Sequence, residues 1–397
     1  MDTSLTPRTA SISTDWHAVM LIIGSGIAAS LQVGKVAIAT PLIQQDMSVG
    51  LAAAGWLMGI FSFLGLLGGM PVGTVVAAFG HKRMLLAGLG CLVLGAILGA
   101  LAPGFTLLLV SRVVEGAGFL IIIVAAPAIL PYVVDTRHQA LAFAMWSCFM
   151  PGGMALAMLV GPWFEAWRIL WWGSAVIAAI MALGVMLAVP AAAREDIAWH
   201  GKLRDMLDTL RTPAPLVLAG VFAFYNLMFF ALFSFLPILL MERMAVSHQA
   251  AGALSALATS ANILGNLAAG TLLARGVGRV FLLAAASLIM GVTGLGIFLS
   301  MLPALPTFLL CMLFLAVGGL IPATLLASAP IFAPRTVLTP LVVGLLMQGS
   351  NLGQVIGPVA IGDAIEWHGW TAAGLIVAAV AILTAMLAQA LCRPHMA

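Results

Sequence analysis

Twelve apolar runs, most reaching or approaching the roughly 20 residues a helix needs to cross a bilayer, constrain this chain more than any other feature. They fall at residues 16–43, 51–77, 84–101, 105–133, 140–164 and 169–189, then resume at 216–240, 250–274, 280–302, 306–332, 337–360 and 370–391. Backbone polar groups in lipid must be satisfied within the segment, so unbroken runs of this length are helices. A spanning barrel would instead show segments of about ten alternating residues. Of the 397 residues, 63% are hydrophobic and 7% charged, against about 25% charged in an ordinary soluble domain. The expected fold class is therefore an all-α membrane protein with twelve transmembrane helices in two sets of six. No nucleic-acid footprint is present.

Orientation follows from the cations in the connections, which concentrate on the cytoplasmic side. With the N-terminus inside, the inner connections and tails hold Arg8, Lys82, Arg83, Arg137, Arg194, Lys202, Arg204, Arg211, Arg275, Arg279, Arg335 and Arg393, and the outer ones only Arg168 and Arg243. Both termini are thus expected in the cytoplasm, with the protein in the inner membrane. Residues 1–15 read as a disordered tail, 16–190 as a first bundle, 191–215 as a linker, 216–392 as a second bundle and 393–397 as a short tail. Within the linker, Leu203, Met206, Leu207 and Leu210 recur at helical spacing between charges, the pattern of a short amphipathic helix at the inner interface.

The two sets repeat. Pro41 pairs with Pro237, Gly55 with Gly252, Gly73-Thr74 with Gly270-Thr271, Pro131 with Pro330 and Gly161-Pro162 with Gly357-Pro358, all about 197 residues apart. Parallel repeats of this kind mark transporters whose halves rock about a central site. The connection between the second and third spans reads Gly73-Thr-Val-Val-Ala77-Ala78-Phe-Gly80-His81-Lys82-Arg83, and its second-half copy runs Gly270-Thr-Leu-Leu-Ala274-Arg275-Gly-Val-Gly278-Arg279. The fourth span carries Arg112, Gly116 and Gly118, and the fifth ends in Gly161-Pro162. On these residues the chain resembles the major facilitator superfamily (MFS) over essentially its whole length, with a faint likeness to cyanate-type permeases. The resemblance implies the MFS fold, an inner gate built on Gly73, Gly80, Lys82, Arg83, Gly270, Arg275 and Arg279, and a link between Arg112 and proton coupling. Ala77 stands where the family carries an acid, which puts its usual charge latch in doubt.

Three charges lie inside spans: Lys35, Arg112 and Glu115. Charges at membrane depth are costly and face a protein interior or a wet cavity. Arg112 and Glu115 are one turn apart on one helix face. At 1.5 Å per residue, Lys35 sits about 12 Å and Arg112 about 10 Å below the outer face. The matching second-half positions, Ala231 and roughly Met312, carry no cation. Two readings stand: an anion site in which Arg112 offers a planar fork and Lys35 a compact charge, or a structural pair with Glu115. Protonation of Glu115 would free both cations to hold an anion, giving proton-anion symport.

Neutral polar residues cluster on the eighth span at Ser255, Thr259, Asn262 and Asn266, on the eleventh at Gln348, Asn351 and Gln354, on the seventh at Tyr225 and Asn226, and at Gln32 on the first. The third and sixth spans carry almost nothing polar, in line with the resembled fold, where they lie outside the cavity. Candidate substrate residues are thus Lys35, Arg112, Gln32, Trp146, Tyr225, Asn226, Asn262, Asn266, Gln348 and Asn351, with Glu115 and Arg112 for proton coupling. Trp56, Trp163, Trp167, Trp171, Trp172, Trp367 and Trp370 read mostly as an aromatic belt at outer helix ends. Cys91, Cys148, Cys311 and Cys392 have no metal spacing and all seven histidines fall in tails or connections, so neither a metal nor any cofactor is expected.

The leading expectation is a monomeric secondary transporter moving a small anionic solute across the bilayer by alternating access, with protons as the coupling ion. An exporter of drugs or a siderophore is the alternative. A membrane enzyme would need paired acids, or a nucleophile with its base at one depth, and a sensor would need an output domain.

Overall fold

The computed structural model describes residues 14–190, 202–335 and 338–392. At Met70, Gly73, Thr74, Ala77, Ala140, Ala144 and residues 202–204 it describes the backbone only. The expected tails before Thr14 and after Cys392, much of the linker, and the side-chain setting of motif residue Gly73 lie outside this set. Thr14 and Asp15, placed in the tail by sequence, are held: the Asp15 N–H donates to the Val133 carbonyl at 2.9 Å, and its carboxylate caps the first helix through the Ala18 N–H at 3.1 Å.

All twelve spans are helical. Six are continuous or nearly so over their hydrophobic length in both halves: Trp16–Met47, His81–Ala100, Phe105–Val133 and Trp167–Ala188 in the first, and His248–Ala274 and Arg279–Phe298 in the second. The eleventh, Thr339–His368, and twelfth, Trp370–Ala390, are likewise single helices. The other four are broken. The second runs as Leu51–Gly59 and Phe63–Phe79 around a short tight turn, the fifth as Gln139–Ser147 and Phe149–Val160, the seventh as Pro213–Phe233 and Leu236–Met244, and the tenth as Ala304–Gly318 and Leu320–Phe332. Three of these breaks have one cause. A proline ring clashes with the carbonyl four residues earlier and removes its partner N–H; Pro151, Pro237 and Pro322 stand four residues after Ser147, Phe233 and Gly318, where the helices end.

The exterior is a lipid face. On the sixth span Ile169, Trp172, Val176, Ile180, Leu183 and Leu187 are exposed at intervals of three and four residues, one continuous apolar stripe that water would penalise and acyl chains accept. The first and seventh spans are the most enclosed.

The duplication shows in contacts that a motif search passes over. At the end of the first span Asp46 accepts from the Trp167 indole N–H at 2.9 Å, and at the end of the seventh Glu242 accepts from the Trp370 indole N–H at 2.8 Å. The two six-helix halves meet along two seams. The second span lies against the eleventh, where Glu366 accepts from the Ala52 N–H at 2.9 Å and Gln348 donates to the Leu66 carbonyl at 3.1 Å. The fifth lies against the eighth at its Met158–Pro162 end, where a side chain on Gly252 would strike Met158 and Pro162.

Within the second half, Gly349, Gly353 and Gly357 of the eleventh span let the seventh approach to backbone contact at Ala219, Ala223 and Leu227. A Cβ on Gly353 would sit 2.9 Å from Asn226 Cβ and press on the Ala223 carbonyl. Gly353→Leu is therefore expected to lower stability by about 1–3 kcal/mol, the usual range for overpacking. A fall in the thermal midpoint of the detergent-solubilised protein, absent for Gly173→Leu in open space, checks this.

Candidate functional site

The three intramembrane charges form one cluster. Lys35 on the first span and Arg112 on the fourth both reach Glu115, which gives one carboxylate oxygen to each: Lys35 Nζ donates to Oε1 at 2.7 Å, and Arg112 Nη1 donates to Oε2. All three side chains are at most 1% exposed. Charges so buried are tolerated only when paired and hydrogen-bonded, and the remaining valences are largely met. Lys35 donates also to Ser174 Oγ at 3.0 Å and stands 4.4 Å from the centre of the Trp171 ring. Arg112 Nε donates to the Leu57 carbonyl at 3.2 Å, and its guanidinium lies 4.4 Å from the centre of the Phe61 ring. Arg112 Nη2, Trp171 Nε1 and Gln32 Oε1 are buried without a hydrogen-bond partner among the described residues. With every group ionised, the cluster carries one positive charge in excess.

From the sequence this cluster is either an anion site facing a wet cavity or a structural pair with Glu115, and the resemblance sets the third and sixth spans outside that cavity. The structure encloses it inside the first half. Gly95 of the third span faces it, close enough that a Cβ there would lie 2.6 Å from Glu115 Cγ, and the sixth span supplies Trp171 and Ser174. Composition hid these contributors: a glycine and one serine in apolar helices carry no signal, and Trp171 resembles its belt neighbours. Trp56, Trp163, Trp172 and Trp367 are exposed, whereas Trp167 and Trp171 are buried.

The neutral candidates fall into two further groups. Inside the second half, Asn262 donates to the Leu315 carbonyl at 3.0 Å and to the Tyr225 hydroxyl at 3.5 Å, and Asn266 donates to Asn262 Oδ1 at 2.8 Å. Leu315 lies just before the break in the tenth span, so Asn262 braces a carbonyl at that break. Beside it on the seventh span Tyr225 stands in a row of rings with three phenylalanines that carry no signal in the sequence: Phe222, Tyr225, Phe229 and Phe233 have successive centroids 6.1, 5.9 and 5.5 Å apart.

The third group lies on a seam. Ser62 of the second span donates to Gln354 Oε1 at 2.9 Å, Gln354 Nε2 donates to Ser350 Oγ at 3.0 Å, and Asn226 Nδ2 donates to the same hydroxyl at 3.1 Å. Gln348 joins across this seam, while Asn351 donates to its own helix at the Met347 carbonyl, 2.7 Å away, and lies against Gly65. Gln32 bonds back to the Ala28 carbonyl at 3.3 Å. Trp146 stacks on Phe149 with centroids 4.5 Å apart and presses on Gly26, a packing contact between the fifth and first spans.

At the expected inner gate, Gly80 turns the chain with φ 92° and Gly276 does so with φ 83°. Lys82 donates to the Met186 carbonyl at 3.0 Å, in the last turn of the sixth span, where a cation favours unpaired carbonyls. Arg83 and Arg275 are exposed, Gly270 faces open space, and Arg279 Nε is buried without a partner among the described residues.

Sequence comparison with known families matches residues 20–337 to the Major Facilitator Superfamily. The chain belongs to that superfamily. This MFS protein is a multi-pass membrane transporter and not an enzyme. It is 28% identical over 401 aligned positions to the 3-(3-hydroxy-phenyl)propionate transporter of Escherichia coli K12, covering 97% of this chain and 96% of that one. It is 31% identical to the chloramphenicol resistance protein of Streptomyces lividans, over 49% of this chain and 51% of the relative. With the cyanate transport protein CynX of Escherichia coli K12 it shares 28% over 52% of this chain and 56% of the other. Among solved structures, a bacterial homologue of the human lysosomal transporter Spinster, inward-facing and occupied, superposes with TM-score 0.77 at 17% identity over 94% of this chain and 96% of that one, which establishes the MFS fold.

The shared carboxylate makes the three charges unequal. Removing Lys35 leaves Arg112 and Glu115 as a balanced pair, whereas removing Glu115 leaves two buried cations with no counter-charge. Breaking a buried pair costs about 3–5 kcal/mol. Glu115→Leu is thus expected to lower the thermal midpoint more than Lys35→Met, and the reverse order in a melting assay would contradict this account of the cluster.

Proposed function

We propose that the protein carries a small anionic solute, of which an organic carboxylate is the favoured class, together with a proton by alternating access of its two halves. The observation that carries this reading is the single Glu115 carboxylate divided between Lys35 and Arg112. When Glu115 takes a proton, both cations lose their counter-charge in a medium that does not tolerate unpaired charge. An anion then supplies what the carboxylate no longer does, and Arg112 offers a fork suited to a carboxylate. Anion and proton binding thereby favour one another. Arg112 and Glu115 serve proton coupling, Lys35 and Arg112 the anion. Gln32, Tyr225, Asn262 and Asn266 supply neutral polar groups to the substrate, and Asn226, Gln348 and Asn351 become free for it as the seam parts. Two relatives are named for anions, a phenylpropionate and cyanate, and another is a galactose-proton symporter of Escherichia coli K12.

The arrangement in the membrane belongs to the same reading. Both termini lie in the cytoplasm, and residues 16–190 and 216–392 form halves joined by a linker. The linker helix Lys202–Arg211 is tied to the second half by an Arg335–Asp205 ion pair at 2.6 Å. Contact between the fifth and eighth spans at their Met158–Gly252 end, which the cation count places outside, fits a state closed to the exterior. The gate turns on Gly73, Gly80, Gly270, Lys82, Arg83, Arg275 and Arg279.

Export of a lipophilic compound is the second reading. The ring row on the seventh span favours it, and so does the likeness to a chloramphenicol resistance protein. Substrate charge separates the two: Lys35→Met abolishes transport of an anion and spares a lipophilic cation.

The direct test uses liposomes holding the purified protein, an imposed inward proton gradient and radiolabelled 3-(3-hydroxyphenyl)propionate. The gradient accelerates uptake by the wild type, and Glu115→Gln loses that acceleration. Uptake by the variant with wild-type dependence on the gradient would sink the proposal.

A further inference from the structure

We propose that Trp171 and Ser174 of the sixth span are positioning residues that form a second seat for the Lys35 ammonium, holding its charge when Glu115 takes a proton and so setting the pH at which the cluster loads. The inference rests on the reading of Glu115 as the proton site and adds to it the residues that tune that site.

An ammonium has three N–H donors. One Lys35 donor goes to Glu115 at 2.7 Å and one to Ser174 Oγ at 3.0 Å, while the group as a whole stands 4.4 Å from the centre of the Trp171 ring. The seat is built independently of Glu115. Ser174 gives its own proton to the Trp171 carbonyl at 2.9 Å, which leaves its lone pairs for the ammonium. Trp171 is 0% exposed, has Gly99 of the third span against its indole edge, and meets Trp167 edge-on at 5.1 Å; Trp167 in turn is fixed by Asp46 at 2.9 Å. An aromatic face attracts a desolvated cation, and a hydroxyl lone pair aimed at it adds a charge-assisted hydrogen bond.

The groups facing Glu115 are few. The first span presents Lys35 and its own span Arg112. The second reaches Arg112 with Phe61 and the Leu57 carbonyl, the third presents Gly95, and the sixth holds Lys35 through Trp171 and Ser174. No second carboxylate pairs with Lys35 among the described residues. While Glu115 is ionised its carboxylate dominates the ammonium, and the seat adds little. Once Glu115 is neutral, ring and hydroxyl are the partners that remain. Their contribution is therefore larger in the proton-loaded state, and their removal makes loading harder. Some 196 to 203 residues on, Lys35, Trp171 and Ser174 correspond to Ala231, Gly374 and Val377, so the second half carries no ammonium, indole or hydroxyl at the matching positions.

The test needs no substrate. Infrared spectra of the full-length protein in liposomes are recorded against pH, following the carbonyl stretch of a protonated buried carboxyl that Glu115→Gln removes. Ser174→Ala and Trp171→Leu are expected to move the midpoint of that band down by about half to one pH unit, a part of what a hydrogen bond to a charged group is worth. The shift is only a part because the seat also touches the ammonium while Glu115 is ionised, and only the difference between the two states is read. Trp171→Phe, which keeps a ring face, shifts it less than Trp171→Leu. A side chain that served packing alone would lower the thermal midpoint and leave the titration where it was. An unmoved or raised midpoint in folded Ser174→Ala, a near-isosteric change, overturns the seat while leaving Glu115 as the proton site. Failure of Glu115→Gln to remove any band overturns that reading and the seat with it.

Discussion

One carboxylate holding two buried cations is the interaction on which the first half depends. Glu115 is shared between Lys35 and Arg112, and five spans converge to make that possible. Ion pairs of this depth do not repay their desolvation unless nearly every lone pair and proton finds a partner. The surroundings reflect that demand. Gly95 thins the third span to admit the Glu115 side chain, Phe61 and the Leu57 carbonyl close over Arg112, and Ser174 and Trp171 close over Lys35. Apolar packing alone would give a more forgiving interior, so this arrangement favours a chemical role over a purely architectural one.

The two halves share a plan and differ in what fills it. The Asp46–Trp167 and Glu242–Trp370 contacts tie equivalent helix ends in each half. Deeper in, the likeness stops. Where the first half sets Glu115 against Gly95, the second sets Val377 and Phe314 against Gly294. Its polar groups are neutral and are spent on Tyr225, Asn262 and the broken tenth span. Such a division suits a carrier in which one half handles charge and the other shape.

Much of this was legible in the residues themselves. Run length and cation placement report directly on the bilayer, so the number of spans and the linker helix at Lys202–Arg211 could be read. Lys35 and Arg112 could be set at one depth because helical rise is fixed, and their meeting on Glu115 agrees with that arithmetic. Which way they point could not be read. Rotation about a helix axis is set by neighbours, and within an almost wholly apolar chain a hydrophobic pattern no longer separates inside from outside. Hence composition does not show that the cluster turns into its own half, or that Gln354 of the polar eleventh span meets Ser62 of the second across a seam. The breaks in the fifth, seventh and tenth spans were readable in principle, since each helix ends four residues before Pro151, Pro237 or Pro322.

The sixth span has a lipid-facing stripe on one side and holds the Lys35 ammonium with Trp171 and Ser174 on the other. A single helix, about 10 Å across, is therefore all that insulates this group from acyl chains. Hydrocarbon supplies no counter-ions and little polarisation, so the field of the surplus positive charge is barely weakened in that direction. Relief must come from the opposite flank, where the second span faces the other half. The thinness of one wall thus gives the electrostatics of the bundle a direction.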